Sequence, residues 1–92
     1  MRTHKEFGML AEIIMPKMGD AAVDSWVEVW KKSIGETVEV GEVICIVAID
    51  KAAFDIESPY EGTLAEILVQ PNLAVPPGTP IGRIEVIEDA VT

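Results

Sequence analysis

From Met9 onward the hydrophobic positions fall in short runs separated by turn residues, the pattern of strands rather than helices. Leu10–Ile14 is followed by Pro16-Lys17-Met18-Gly19 and then by Val23–Lys32, where Val23, Val27 and Val29 share one parity and Trp26, Glu28 and Trp30 the other. Both faces of that strand carry bulk. Gly35 and Gly41 bracket Glu36–Val40, and the run Val43–Ile49 is apolar throughout and rich in β-branched residues, as expected of a strand covered on both faces. After Asp50-Lys51 the pattern changes to alternation, with Ala52, Phe54 and Ile56 on one side and Ala53, Asp55 and Glu57 on the other, which predicts a half-exposed strand. Ser58-Pro59-Tyr60-Glu61-Gly62 reads as a turn, Thr63–Val69 as a strand, and Ile81, Ile84 and Val86 as the last apolar positions. Residues 1–8 and 89–92 show no comparable pattern and are expected as tails around one domain spanning residues 9–88.

Offset by 37 residues, the chain resembles itself: Val27 falls on Leu64, Trp30 on Ile67, Val38 on Val75, Gly41 on Gly78, Ile44 on Ile81 and Val47 on Ile84. The spacing of valine, glycine and apolar run recurs in both halves, so each half is expected to supply about four strands to two facing sheets. The predicted fold class is therefore all-β, with Asp50-Lys51 near the middle of the chain and at one end of the sandwich.

Composition narrows the function. A length of 92 residues suits one modest core, and the surplus of Val and Ile over aromatics (5%) favours strands. Seven basic against sixteen acidic side chains give a net charge of −9, which repels phosphate backbones and anionic lipid surfaces and disfavours nucleic acid and membranes as partners. No apolar run approaches the roughly 20 residues of a membrane span, and the first residues lack the apolar core of a secretion signal. Cys45 is the only cysteine, so no internal disulfide or CxxC redox pair can form; a reducing, cytoplasmic setting is expected.

Candidate chemistry is sparse. His4 stands alone in the expected tail and is read as solvated, with no metal site anticipated. Cys45, inside an apolar run, is read as a core residue, and Trp26 and Trp30 as packing residues. Lys51 remains. With only Asp50 and Lys51 between two strands, a tight turn follows; lacking glycine, it is expected to be type I, opened by Asp50. Lys51 would then extend into solvent, either as an ordinary turn lysine or as an amine that accepts an activated acyl group and becomes a tethered arm.

The order Met15-Pro16-Lys17-Met18-Gly19, Val29-Trp30-Lys31-Lys32, Gly35-Glu36-Thr37-Val38, Gly41, Asp50-Lys51-Ala52 and Gly62-Thr63-Leu64 closely resembles the lipoyl domains of 2-oxo acid dehydrogenase acyltransferases, over about residues 10 to 87. Lys51 lies ten residues after Gly41 and eleven before Gly62, the place of that family's modified lysine. The resemblance implies a flattened β-barrel or sandwich of two four-stranded sheets with quasi-two-fold symmetry. It further implies lipoate in amide linkage on Lys51, with Asp50 and Ala52 as recognition residues beside it. The implied partners are a lipoate ligase or lipoyl transferase, a 2-oxo acid decarboxylase (E1), an acyltransferase core (E2) and dihydrolipoyl dehydrogenase (E3). The domain would be a monomeric, non-catalytic carrier.

Two departures and two alternatives accompany that expectation. Lipoyl domains usually hold an acidic residue where Ala48 stands, and a glycine before the second strand, where this chain has Asp24-Ser25. The sibling biotinyl domains flank their lysine with methionines, unlike Asp50 and Ala52, so a biotin carrier is the first alternative. An unmodified interaction module using the acidic surface is the second. Gly41 and Gly62 are both expected to hold turn conformations, and Asp50→Ala is expected to leave stability nearly intact.

Overall fold

The computed structural model describes residues 4–17 and 24–90. The expectations for the His4 imidazole and for the turn at Met18-Gly19 lie outside what it describes. Among the described residues there are seven strands: β1 (His4–Ile14), β2 (Ser25–Trp30), β3 (Thr37–Val38), β4 (Val43–Ile49), β5 (Ala52–Glu57), β6 (Gly62–Ile67) and β7 (Pro80–Ala90). They form two antiparallel sheets, ordered β1-β7-β6-β3 and β2-β4-β5. The all-β sandwich expected from the hydrophobic pattern is the fold observed.

The second sheet has three named strands where four were expected. Its fourth is reduced to a single bridge from Val75 to Ser25. Pro76 and Pro77 follow directly, and without N–H groups they cannot extend the ladder.

The internal repeat is written into the backbone. The bridge between Ser25 and Val75 corresponds, at the same offset, to the pairing of Gly62 with Val38. The bond from Gly35 N–H to the Leu64 carbonyl matches that from Asn72 N–H to the Val27 carbonyl, both 2.8 Å. Gly35 (φ 95°) and Asn72 (φ 69°) share the left-handed region, as do Gly41 (φ 86°) and Gly78 (φ 91°). Even the irregularities repeat: the bulge between Val27 and Val29 recurs between Leu64 and Glu66. For β5 onto β1 the offset is larger, because the connection from Met15 to Ser25 is six residues longer than that from Ser58 to Gly62.

Where the symmetry ends, the site begins. The pair Ile49–Ala52, closed by two residues, corresponds to the pair Met9–Val86 at the opposite end, where nothing closes the strands. There β1 and β7 run on as a ribbon to His4–Ala90, which helps give the molecule its long dimension of 53 Å against 24 and 19 Å. Strand pairing thus reaches into both stretches expected as tails. Backbone hydrogen bonding needs no side-chain period, so the pattern gave no sign of it.

The core lies between the sheets. Met15, Val27, Ile44, Cys45, Val47, Leu64 and Ile81 have no exposure, and Trp30, Phe54 and Ile56 close its margins. Burying each large aliphatic chain stabilises by about 1.5–3 kcal/mol. Val43–Ile49 is the central strand of its sheet, and its inward residues Cys45, Val47 and Ile49 are at most 2% exposed, which anchors the end from which the hairpin projects.

Candidate functional site at the β4–β5 hairpin

Ile49 pairs with Ala52, leaving Asp50 and Lys51 as a two-residue loop. Asp50 has φ 57°. The expected type I turn is therefore not the one formed, since its central residues both take negative φ. A two-residue hairpin must match the right-handed twist of its strands, and that demand places its first loop residue in the left-handed region. Aspartate tolerates this better than most residues because its short side chain can bond locally. The Asp50 N–H donates to the Asp24 carbonyl at 3.1 Å, which ties the hairpin to the segment entering β2.

That geometry revises the stability expected of Asp50. Asp50→Ala forfeits the local tolerance and is expected to cost about 1 kcal/mol, or roughly 4–8 °C in melting temperature, whereas Asp50→Gly relieves the strain. Thermal unfolding of the two variants checks this: glycine must melt above alanine.

Lys51 and Ala52 are exposed, and among the described residues the Lys51 amine makes no hydrogen bond or ion pair. By contrast, Lys32 is bound to Glu42 at 2.6 Å, and Arg83 bridges Glu12 (3.5 Å) and Glu66 (2.5 Å) across β1, β7 and β6. The Glu42 hydrogen bond raises the Lys32 pKa, chiefly by favouring its charged form. Lys51 thus combines a projecting main chain, an unencumbered amine and a small neighbour in Ala52. A free amine so placed can attack an activated carboxylate held by another enzyme; by itself it breaks no bond.

The other candidates take structural places. Trp30 packs on the core and donates its indole N–H to the Val69 carbonyl at 3.0 Å. Trp26 is half-buried and donates to Glu28 at 3.2 Å. Cys45 has no exposure, and burial pushes its thiol up from an ordinary 9.0 to about 12. At a given pH below that range the native thiol holds about a thousandfold less thiolate than the unfolded chain. It should therefore resist thiol reagents until the protein unfolds, and rapid labelling of the native state would contradict its place in the core. Because the folded pKa is raised, the contribution is intact below pH 9 and is lost as pH rises from 9 toward 12. No cluster of metal-ligating side chains occurs among the described residues, and none of their helices is long and apolar enough to cross a membrane.

Two features of the site escaped the pattern of the sequence. Ser25, at the unusual Asp24-Ser25 position, is fully buried, and its hydroxyl donates to the Val75 carbonyl at 2.5 Å, fastening the bridge beside the hairpin. Gly62 is not in a turn: it lies within β6, and it is space rather than φ that requires glycine there. A serine between an aspartate and a tryptophan gives no signal of burial; only the repeat, which sets Ser25 opposite Gly62, could have found it.

A family model described as "Biotin-requiring enzyme", covering biotin and lipoyl attachment domains, matches residues 11–84. The chain belongs to the biotin/lipoyl attachment family. Among proteins similar to this biotin/lipoyl domain is the dihydrolipoyllysine-residue acetyltransferase component of the acetoin cleaving system of Bacillus subtilis, 41% identical over 73 residues. That alignment covers 79% of this chain and 18% of the relative. The corresponding component of the pyruvate dehydrogenase complex of Corynebacterium glutamicum is 36% identical over 77 residues, covering 84% and 11%. A dihydrolipoyllysine-residue succinyltransferase component of the 2-oxoglutarate dehydrogenase complex of Rickettsia typhi is 27% identical over 84 residues, covering 91% and 21%. The domain thus spans about a fifth or less of the length of these relatives.

Proposed function

We propose that this chain is a lipoyl carrier domain in which Lys51 receives lipoate in amide linkage and swings it between the active sites of a 2-oxo acid dehydrogenase complex. The observation that carries the reading is the placement of Lys51. It is one of two loop residues at a hairpin tip, exposed, without an ion-pair partner among the described residues, on a strand anchored in the core. When bound, lipoate supplies acyl carriage and two-electron exchange through its dithiolane.

The chain's own residues supply position. Ile49 and Val47 hold β4 in the core, so the base of the arm is fixed while the arm beyond the Lys51 Cα is free to turn. Asp50 shapes the turn that carries Lys51, and Ala52 leaves room for a modifying enzyme to close over the amine. These flanks favour a lipoate ligase over a biotin ligase, and the dihydrolipoyllysine relatives support the same choice. Tethering gives the arm an effective concentration on the order of millimolar at each site it can reach. The partners in this reading are a 2-oxo acid decarboxylase, an acyltransferase core and dihydrolipoyl dehydrogenase, met by a monomeric domain in the cytoplasm, where Cys45 stays a free thiol.

Co-expression with a lipoate ligase and, in parallel, a biotin ligase tests this, with peptide mass spectrometry to locate any added mass. A lipoyl adduct confined to Lys51 is expected. A biotinyl adduct would transfer the domain to the biotin carriers, and a bare Lys51 in both would sink the swinging-arm function.

A further inference from the structure

On β4, Val47 and Ile49 face the core, so Ala48 between them faces outward. The register aligns Trp26 of β2, Ala48 of β4 and Ala53 of β5 in one row across the sheet. It is the first outward row below the hairpin tip. Beyond it lies a second row of Val29, Ile46 and Asp55. Val29 is 40% exposed and Ile46 half-buried, while Glu28, Asp55 and Glu57 rim the face. A methyl group on an outward position stays as little as 6% exposed only beneath something larger, and Trp26 is the large side chain beside Ala48 in that row.

The result is an uncharged strip inside an acidic surface, starting two residues from Lys51. A charged occupant has no partner on the strip itself, and an anionic one is repelled by its rim. A neutral, largely hydrocarbon group meets neither penalty. Reach is sufficient: Ala53 lies about 7 Å along the strand from Lys51, and Trp26 a further two strand spacings, about 10 Å, across the sheet. A lysine side chain extended by an eight-carbon acyl chain contains about a dozen single bonds of roughly 1.5 Å each, enough to lie over Ala53 and reach the indole that covers Ala48.

We propose that the row Trp26–Ala48–Ala53 is a resting platform on which the hydrocarbon arm attached to Lys51 lies between visits to its partners. The proposal rests on the carrier reading above. Lying down buries methylenes that would otherwise face water, and the platform is left whenever a partner's channel offers the arm a better apolar surface. Ala48 is central to it, since a carboxylate at that position would have to be desolvated beneath the indole or push the ring aside.

The test uses the full chain labelled with ¹⁵N and ¹³C, unmodified and after lipoylation, with mass spectrometry first establishing the adduct. Shifts are expected at the Trp26 indole N–H and at the Ala48 and Ala53 methyls, together with nuclear Overhauser contacts between arm methylenes and the Trp26 ring. Ala53→Glu, at an exposed position that leaves the core untouched, should weaken those contacts several-fold without removing the adduct. An adduct whose shifts stop at Asp50–Ala52, or contacts undiminished in Ala53→Glu, would overturn the platform alone. Concentration-dependent shifts of the same residues in the unmodified chain would assign the face to a second copy instead. No adduct at Lys51 removes the carrier reading and the platform with it.

Discussion

Replacing Lys51 with arginine is expected to abolish attachment completely while moving the melting temperature by no more than about 3 °C. Arginine keeps the charge and at least the length of lysine, but its guanidinium stays protonated and does not form the stable acyl amide that an ε-amine does. Nothing in the fold depends on the lost ammonium, because Lys51 is exposed and makes no ion pair among the described residues. Other lysines should not substitute. Lys32 is held by Glu42, and Lys31, although exposed, follows β2 in a longer connection rather than in a two-residue loop. Intact mass after co-expression with a lipoate ligase decides the matter: one lipoyl adduct on the native chain and none on Lys51→Arg. An adduct persisting on another lysine would mean that the ligase reads exposure alone, and the hairpin would lose its assigned role.

The place of Lys51 could be read in advance because β4 and β5 differ sharply in pattern. An apolar run with one face on the core cannot slip by one residue against an alternating strand without turning Phe54 and Ile56 toward water, so the register, and with it the tip, is determined by side chains. The outer face of β4 is only partly covered, with Val43 and Ile46 half-buried. The turn type could not be read. Asp50 suits the opening of a type I turn and the left-handed first position of a two-residue hairpin alike, and the choice came from the twist of the paired strands. Parity failed similarly in β2: Val27 and Val29 were placed on one face, yet Val27 has no exposure and Val29 is 40% exposed. The bulge between them arises in pairing with β4, and β6 repeats it against β7, so its cause is the partner strand rather than local sequence. The ribbon of β1 and β7 and the bridge from Ser25 to Val75 are likewise long-range pairings without a local signal.

Gly41 and Gly62 look alike in the sequence, but their substitutions should differ severalfold in cost. Gly41 has φ 86°, and a Cβ there would have nothing within 4 Å, so Gly41→Ala incurs only the left-handed penalty of about 1 kcal/mol. At Gly62 the obstacle is the neighbouring strand. A Cβ would collide with the Glu85 carbonyl oxygen and lie 2.8 Å from the Ile84 Cγ2 and 3.0 Å from the Glu85 carbonyl carbon. Backbone cannot rotate aside as a flexible side chain can. To make room, β7 must move away from β6, which strains the pairs Gly62–Val86 and Thr63–Glu85 and disturbs Ile84, 1% exposed. Gly62→Ala is therefore expected to cost about 3 kcal/mol, lowering the melting temperature by roughly 12–24 °C against 4–8 °C for Gly41→Ala. Ser25 supplies an internal comparison: in the symmetry-related position of the first half a Cβ and a hydroxyl are accommodated, so the crowding belongs to the β6–β7 approach and not to the repeat itself. Thermal unfolding of the two alanine variants, measured side by side, separates the two costs. Equal losses, or a larger one at Gly41, would mean that β6 and β7 part at little cost and that Gly62 is not a packing constraint.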